Sequence, residues 1–389
     1  MRLLHILWDA CLFYIAGLLR MLGLPRSRGA EVWLIGCREK LLSSNSLAMW
    51  RYLYAQAPGV KPYVVCPKNT LLPSDFPHGL ALRHSTLRAK SILWAAGYIT
   101  CTHGTADAGW RPVYLLKPPG LIVNLKHGVT GLKYYTRKQS SAWQDYDLIC
   151  ANSELERKLL ASSLGIEQQR IAVTGLARLA SLKRVHPVNS DLLYFPTYRM
   201  QNQQNLQERI THQTGLLLQA VHPWPGQQWV LRLIIHPNLK LSARELTLDP
   251  ERITLHKADS AELQELLQTA DLLVTDYSSI VFDAGFIGVP CVLDWSDLKE
   301  YSLERGVFPE FQCQPVGIVC CKEQQLTEEI QRLSSDTDYY RQQSRKIKQA
   351  VRRFISFPGE DPRENIVQEA RHRAKGSRQR GEGPHHNGK

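Results

Sequence analysis

The chain has 389 residues, of which 43% are hydrophobic and 22% are charged. These proportions exclude a disordered or collagen-like protein, and the length allows two domains that each have their own core. Much of the formal net charge of +12 lies in residues 371–389, where six Lys or Arg accompany one Glu. That segment predicts a basic disordered tail, either merely solvated or attracted to an anionic lipid or polymer. No RNA-binding signature or zinc-finger spacing accompanies the charge, so a nucleic-acid partner is not expected.

An apolar run opens the chain, from Leu3 to Leu22, and His5 and Asp9 interrupt it. It is short for a membrane span and no cleavage site follows, which leaves two interpretations: a short or monotopic membrane anchor, or a buried helix packed on the core. Flanking arginines would suit anionic headgroups. The nine cysteines lack metal-ligand spacing and indicate a reducing compartment. We therefore expect a peripheral or monotopic protein on the cytoplasmic face of the plasma (inner) membrane, which bears anionic lipid.

Short apolar strands alternate with helices from Glu31 onwards, which predicts parallel sheets covered on both faces. The predicted strands of the first run are Val32–Ile35, Pro62–Val65, Tyr98–Thr102, Leu121–Leu125 and Asp147–Cys150, and its helices are Asn45–Gln56, Ser85–Ala96 and Glu154–Ser162. After a polar linker at residues 183–190, a second run begins. Its predicted strands are Leu192–Phe195, Trp229–Ile235, Ile253–Leu255, Leu272–Val274 and Cys291–Leu293, with a helix at Ala261–Thr269.

The C-terminal part predicts two further helices, Asp336–Ile355 and Pro362–Arg373. The whole pattern predicts an α/β protein with two Rossmann-type doubly wound domains facing a cleft. The expected organisation is a membrane-associating helix (1–28), a first domain (29–185), a second domain (186–370) and the basic tail (371–389).

Four polar turns follow predicted strands directly, and the carboxyl ends of parallel strands are where open α/β sheets bind ligands. These turns contain residues 126–131, 196–199, 236–237 and 275–279. In the last of them, Thr275-Asp276-Tyr277-Ser278-Ser279 precedes a helix from about Ile280, whose N-terminus could hold a phosphate or could simply be capped by serine.

The side chains of these turns suit transfer of a phosphate group. Glycines 128 and 131 would let the backbone approach a ligand closely, and Arg199 with the hydroxyls of the last turn could hold phosphoryl oxygens. A histidine can accept a proton from an attacking hydroxyl near neutral pH. No P-loop and no acidic pair placed for a metal is visible, so neither cofactor nor metal is expected. His103-Gly104 also follows a strand and is a candidate acceptor contact.

The combination of these turns resembles the CDP-glycerol glycerophosphotransferase family, the teichoic-acid primases and polymerases. The segments that carry the resemblance are SNSLAMWRYL (44–53), LKHGVTGLK (125–133), ANSELERKLL with VTGLARLASL (151–182), YFPTYR (194–199), IIHP (234–237), TADLLVTDYSSIVFDAGFIGVPCVLD (269–294) and GEDPRENIV (359–367). The resemblance implies a GT-B-like fold, association with a membrane face, and transfer of a polyol phosphate from a CDP-activated donor to a lipid-linked or polymeric acceptor.

The resemblance also implies roles for individual residues. His127 matches the proposed base, and His236 matches a contact to the donor phosphate, so both are candidate catalytic residues. The candidate donor-binding residues are Gly128, Arg178, Thr197, Arg199, Thr275, Asp276, Ser278 and Ser279. Two alternatives stay open: a GT-B glycosyltransferase or epimerase that uses a UDP-sugar, and a non-catalytic scaffold docked at the membrane.

Overall fold

The computed structural model describes residues 2–23, 31–38, 41–134, 141–185, 190–197, 203–221, 229–235, 251–257, 260–304 and 306–381. The chain divides into two compact units. The first comprises Met1–His127, Arg137–Ser181 and Phe357–Lys389, and the second comprises Gly128–Thr136 and Leu182–Ser356. The C-terminal residues thus return to the unit in which the chain began.

The first unit is built on a parallel sheet of seven strands. In chain order these are β1 (Glu31–Gly36), β2 (Val60–Cys66), β3 (Ala81–Arg83), β4 (Tyr98–Cys101), β5 (Leu121–Asn124), β6 (Leu148–Ala151) and β7 (Ile171–Val173). Their order across the sheet is β3-β2-β1-β4-β5-β6-β7. The order reverses between β1 and β4, which is the position where doubly wound sheets open a crevice for ligands.

Helices cover this sheet, namely α1 (Arg2–Met21), α2 (Ser44–Tyr54), α3 (Leu87–Ala95), α4 (Glu154–Leu164) and, from the end of the chain, α12 (Pro362–Gly381). Side chains cap the N-termini of α3 and α4. Thr86 accepts a hydrogen bond from the Ala89 N–H at 3.2 Å, and Ser153 accepts one from the Glu156 N–H at 3.1 Å. The apolar faces of α2 and α12 bury Trp50, Leu53 and Ile366 against the sheet in one core cluster.

The second unit repeats the same strand order in a six-stranded parallel sheet. Its strands are β8 (Asp191–Phe195), β9 (Val230–Ile235), β10 (Ile253–Lys257), β11 (Leu272–Thr275), β12 (Cys291–Asp294) and β13 (Ile318–Cys320), ordered β10-β9-β8-β11-β12-β13. Its helices are α5 (Gln203–Ala220), α6 (Ser260–Thr269), α7 (Ile280–Ile287), α8 (Leu298–Glu304), α9 (Pro309–Cys313), α10 (Glu323–Ser335) and α11 (Thr337–Val351). The prediction of two Rossmann-type doubly wound sheets is confirmed.

Helix α1 docks on the first unit through one flank and leaves the other exposed. Phe13 is fully buried, the Trp94 indole N–H donates to the Phe13 carbonyl at 2.9 Å, and buried Asp9 pairs with Lys90 at 2.8 Å. Burial raises the pKa of Asp9, but hydrogen bonds from Lys90 and Tyr114 outweigh that effect and lower it. The exposed flank carries large apolar side chains: Leu4, Leu7, Trp8, Ile15, Leu18, Met21 and Leu22.

The end of the chain corrects one expectation. Helix α12 continues to Gly381 rather than ending at Arg373, so residues 371–381 of the predicted disordered tail are helical, and residues 382–389 lie outside the described part. Basic side chains of this stretch are partnered: Arg371 Nε lies 3.1 Å from Glu31 Oε2, and Arg373 Nε lies 2.7 Å from Glu369 Oε1. These ion pairs offset the basic charge from which a disordered tail was predicted, so the composition alone did not show how far α12 extends.

Candidate functional site

His127 follows β5 at the carboxyl edge of the first sheet, on a tightly held piece of backbone. The preceding residue, Lys126, has a left-handed φ of 57°, and its N–H donates to Asn124 Oδ1 at 2.7 Å. A side-chain acceptor two residues back is a common way to hold such a turn. The His127 ring itself is exposed. The backbone is therefore fixed while the imidazole remains accessible.

The side chain of Lys126 forms a fully buried ion pair with Glu156, the third residue of α4. Burial lowers the pKa of Lys126, and Glu156 opposes that effect. The other Glu156 oxygen, Oε2, accepts hydrogen bonds from the backbone N–H and the side-chain amide of Asn152, at 2.6 and 2.7 Å. A buried pair with its oxygens this well satisfied fixes geometry, since removing one partner would leave an unpaired charge.

Two more buried side chains hold the same turn from neighbouring elements. The Asn45 amide at the start of α2 donates to the Lys126 carbonyl at 2.7 Å, and its oxygen accepts from the Arg178 N–H at 2.9 Å. Arg178 Nη1 then donates to the His127 carbonyl at 2.9 Å. Arg178 was predicted to bind the donor, and in this geometry it positions the backbone of His127.

A second histidine, His103, stands beside His127. Their rings are stacked, with centroids 5.4 Å apart and planes inclined by 12°. His103 follows β4, where the Asp107 carboxylate holds its loop by accepting three backbone N–H bonds. Both histidines thus lie at the carboxyl edge of the first sheet.

In the second unit, two turns at the reversal between β8 and β11 are joined directly. Asp276 Oδ1 accepts from the Thr197 N–H at 2.9 Å, from the Thr197 hydroxyl, and from the Tyr277 N–H at 2.7 Å. Thr275 is fully buried and its hydroxyl donates to the Phe195 carbonyl at 2.6 Å. Thr275, Asp276 and the Thr197 hydroxyl therefore build the turn, although the sequence predicted them as donor contacts.

Ser278 and Ser279 remain at the surface of this turn, half-buried at the start of α7. The Ser279 side chain makes no capping bond to α7, and the first N–H groups of the helix are already bonded, that of Ile280 to Ser278 Oγ and those of Val281 and Phe282 to the Ser278 and Ser279 carbonyls. The helix start therefore favours an anion through its dipole and the two serine hydroxyls. Tyr277 holds the turn in place, because its ring stacks on that of Tyr301 with centroids 3.6 Å apart and its hydroxyl donates to Asp297 at 3.0 Å. The arrangement offers an anion two hydroxyls and a helix N-terminus.

Gly128 and Gly131 lie in the loop after His127, which belongs to the second unit, and they allow it to pack closely within that unit. A Cβ on Gly128 would lie 2.9 Å from Ser279 Oγ, and a Cβ on Gly131 would lie 2.6 Å from the Phe354 ring. The sequence predicted that these glycines make room for a ligand, and the structure shows them making room for protein atoms.

Two predicted site residues, Arg199 and His236, lie outside the described residues. Sequence reasoning missed Asn45, Lys126 and Glu156 as the residues that hold His127. A signal for one of them was present, because Ser153-x-x-Glu156 has the spacing of a capping box. Asn45 and Lys126 gave no local signal, since 81 residues separate them.

Comparison with known proteins gives a consistent result. A sequence model of the family described as CDP-Glycerol:Poly(glycerophosphate) glycerophosphotransferase matches residues 19–370. The teichoic acid glycerol-phosphate primase of Bacillus subtilis is 26% identical over 234 residues, which cover 57% of this chain and 58% of that protein. The teichoic acid ribitol-phosphate primase of Bacillus spizizenii is 28% identical over 121 residues, 31% of this chain and 30% of that protein. The aligned part thus spans little more than half of the first of these relatives.

Solved structures share the fold. A variant of the wall teichoic acid polymerase TagF superposes with a TM-score of 0.70 at 15% identity, covering 90% of each chain. The S. aureus MnaA–UDP complex gives a TM-score of 0.56 at 14% identity, covering 89% of this chain and 97% of that one. At these identities the likeness concerns the fold alone, and it confirms the predicted GT-B-like architecture.

Proposed function

The chain belongs to the CDP-glycerol:poly(glycerophosphate) glycerophosphotransferase family, and on that premise we propose that it transfers glycerol phosphate or ribitol phosphate from a CDP-activated donor. The acceptor is a hydroxyl of a membrane-linked or polymeric molecule, and CMP is released. The names of its relatives, primases and polymerases of teichoic acids, support a role in cell-wall polymer synthesis. The observation that carries the proposal is that His127 is exposed, while buried side chains hold the backbone of its turn by hydrogen bonds.

In the proposed reaction, an imidazole nitrogen of His127 accepts the proton of the acceptor hydroxyl. The hydroxyl oxygen forms a bond to the β-phosphorus of the donor, and the bond from that phosphorus to the oxygen of CMP breaks. The network of Arg178, Asn45 and Lys126 keeps the His127 backbone in place, which limits the positions that the ring can take during the reaction. The first domain is accordingly proposed to act on the acceptor.

The second domain is proposed to hold the donor. Ser278, Ser279 and the start of α7 would bind the diphosphate, whose negative charge is favoured at a helix N-terminus. Thr197, Thr275 and Asp276 keep that turn in shape. Arg199 and His236, outside the described residues, stay proposed contacts to the same diphosphate.

A donor panel tests this function. The full chain is incubated with a hydroxyl acceptor and, separately, with CDP-glycerol, CDP-ribitol and a UDP-sugar, and the released nucleotide is measured. We expect CMP from one of the two CDP-polyols and no turnover of the UDP-sugar. Turnover of the UDP-sugar alone would favour the glycosyltransferase or epimerase alternative. Nucleotide binding without release from any donor would instead favour a scaffold.

We also propose that the protein lies on the cytoplasmic face of the membrane through α1. By length and composition, Leu4–Met21 could cross a membrane, the one such helix in the described part of the chain. However, its buried flank is fixed by the Asp9–Lys90 ion pair and by Phe13, which lipid could not replace. The exposed apolar flank, with Trp8 and the basic end residue Arg20, fits a helix lying in the membrane interface.

Vesicle flotation of the full chain tests this placement. We expect Leu7→Glu with Leu18→Glu to release the protein from vesicles containing anionic lipid, because both side chains are more than half exposed. Substitution is preferable to deleting the helix, which would leave buried Lys90 without Asp9. The matched control is Leu303→Glu with Leu71→Glu, two exposed leucines elsewhere. Equal flotation of all three proteins would contradict the placement.

A further inference from the structure

The reversal point of the first sheet holds a cavity that the proposed reaction has not yet used. The ends of β1 and β4, the loop after β4 and the start of α2 line it with Gly36, Arg38, Ser46, Thr102, His103 and Asp107. Gly36 lets the loop of Asp107 approach β1 closely, since a Cβ there would lie 2.6 Å from the Asp107 backbone carbonyl carbon. In doubly wound sheets, the crevice at the reversal of strand order is where ligands bind.

One buried oxygen in this cavity lacks a hydrogen-bond partner. Asp107 is 1% exposed, and its Oδ2 accepts the backbone N–H groups of residues 102, 103 and 104 at 3.0, 2.7 and 3.3 Å. Among the residues that the structure describes, none donates a hydrogen bond to its Oδ1, and Arg38 Nε lies 3.8 Å from that oxygen. A carboxylate oxygen left like this in a buried site is costly unless a donor group arrives.

The size of the cavity limits what that donor group can be. Its volume is about 10 Å³, room for about one water-sized group. Because a carboxylate only accepts hydrogen bonds, the group must be a donor such as a hydroxyl. The site therefore suits the hydroxyl of a larger molecule whose remaining atoms lie outside.

A second, larger cavity shares Arg38 with the first. Its volume is about 420 Å³, and it lies under α1, with Asp9, His84 and Arg111 in its wall. Two arginines would attract a phosphate, and the unpartnered Asp107 oxygen would accept a hydrogen bond from a hydroxyl. Together they describe a ligand that carries both a hydroxyl and a phosphate.

The smaller cavity reaches His127 through His103. His103 Nδ1 lies 3.9 Å from Asp107 Oδ2, and its ring stacks on that of His127. A ligand hydroxyl held at Asp107 would therefore stand beside the pair of histidines, one of which is the proposed base. All of these residues belong to the first unit.

We propose that the two cavities form the acceptor subsite: Asp107 binds a hydroxyl of the acceptor, and Arg38 with Arg111 binds its phosphate beneath α1. This inference rests on the proposed transferase function and names the substrate class of the same site. The acceptor is thus a molecule that carries a hydroxyl close to a phosphate, and the two sources of that chemistry are a polyol phosphate and a glycosyl phosphate.

The experiment uses full-length protein, CDP-glycerol and CDP-ribitol as donors, and two soluble acceptors: glyceryl octyl phosphate and an octyl-diphosphate disaccharide. CMP release gives KM for each substrate, and the better acceptor identifies the source. Asp107→Asn is the central variant, since its amide oxygen can still accept the three loop N–H bonds while its NH2 replaces the unpartnered oxygen. Asp336→Asn is its control, because Asp336 also accepts two backbone N–H bonds in capping a helix.

We expect Asp107→Asn to raise the acceptor KM at least tenfold, with donor KM and melting temperature close to wild type. Arg38→Gln should raise KM for the phosphate-bearing acceptor but not for octyl glycerol, its phosphate-free analogue. Arg341→Gln, another exposed arginine with a long ion pair, should change neither.

An unchanged acceptor KM in Asp107→Asn and Arg38→Gln, with wild-type CMP release, would overturn this inference and leave the proposed function intact; the cavities would then hold solvent only. If the wild type releases no CMP from either donor with either acceptor, the proposed function itself fails. An equal rise in donor and acceptor KM with a lower melting temperature would show that Asp107 is structural, and would also overturn the inference.

Discussion

The two sheets share one strand order, yet the chemistry at their reversal points differs. In the first unit, ionisable side chains surround the reversal point, and a buried Lys126–Glu156 pair supports the neighbouring His127 turn. In the second, hydroxyls and a helix start surround it, and the Asp276 carboxylate is occupied in joining two turns. The first arrangement suits proton transfer and recognition of hydroxyls, whereas the second suits binding of an anion.

This difference shows that one architecture can be used twice in a chain for separate tasks, with the task set by the residues on the strand-end turns. It also predicts that the tasks can be separated by substitution. Variants in the first unit should alter chemistry or acceptor use, and variants in the second should alter donor use.

The largest effect is expected from His127→Ala. Removing the proposed base should lower kcat for CMP release about 10²–10⁴-fold, while KM for the CDP-polyol stays near wild type. The control is His212→Ala, because His212 is exposed and pairs with Glu323 at 3.1 Å, away from both turns. A decrease in kcat of less than threefold in His127→Ala would show that His127 is not the base.

The support of His127 is tested by Glu156→Gln. This change should destabilise the protein by about 3–5 kcal/mol, since it leaves the charge of Lys126 buried without a counter-ion. Glu154→Gln on the same helix is the control: Glu154 is mostly exposed and pairs with Arg157 at 3.2 Å. Urea unfolding measures both. Similar stabilities for the two variants would mean that the buried pair contributes little.

In the second unit, Ser278→Ala with Ser279→Ala should raise KM for the CDP-polyol roughly 10–100-fold, because two hydroxyl donors to the diphosphate are lost. The acceptor KM should not change. Ser162→Ala with Ser163→Ala makes the same double change in α4, where both hydroxyls donate to the Leu159 carbonyl. A rise confined to the acceptor KM would reverse the assignment of the two units.

The smallest effect concerns the loop that follows His127. Gly131→Ala would place a Cβ 2.6 Å from the Phe354 ring, and overpacking of this kind costs about 1–3 kcal/mol. Gly215→Ala in α5 meets nothing within 4 Å and should stabilise by about 0.5–1 kcal/mol. Urea unfolding again distinguishes them. Equal stabilities of the two variants would show that the loop shifts to accommodate the added Cβ at Gly131.

The sequence predicted most of the strands, because strands such as Leu272–Thr275 are apolar runs bounded by turns. It did not predict several helices of the second unit, among them α5 and α10. It missed β3, β7 and β13, each of which is only three residues long and too short to show a period. The carboxyl-edge location of His127 and Ser279 followed from the parallel sheet. The contacts that support them did not, because Asn45 and Arg178 meet only after folding.

The roles of some predicted residues also depended on contacts that sequence cannot show. Asp276 and Thr275 are polar residues in a ligand-binding type of turn, but their hydrogen bonds are made within the protein. Asp107, by contrast, had no motif to indicate it, and its unpartnered oxygen is visible only in the folded structure. Polar residues on a turn thus predict where a site is, whereas their partners decide what each residue does.

The central claim, that donor binding belongs to the second unit and proton transfer to the first, is tested most directly by calorimetric titration with the CDP-polyol. The account predicts that His127→Ala binds this donor with the wild-type Kd, although it releases almost no CMP. It predicts that Ser278→Ala with Ser279→Ala binds at least tenfold more weakly. Wild-type affinity in the double-serine variant, together with lost affinity in His127→Ala, would contradict it.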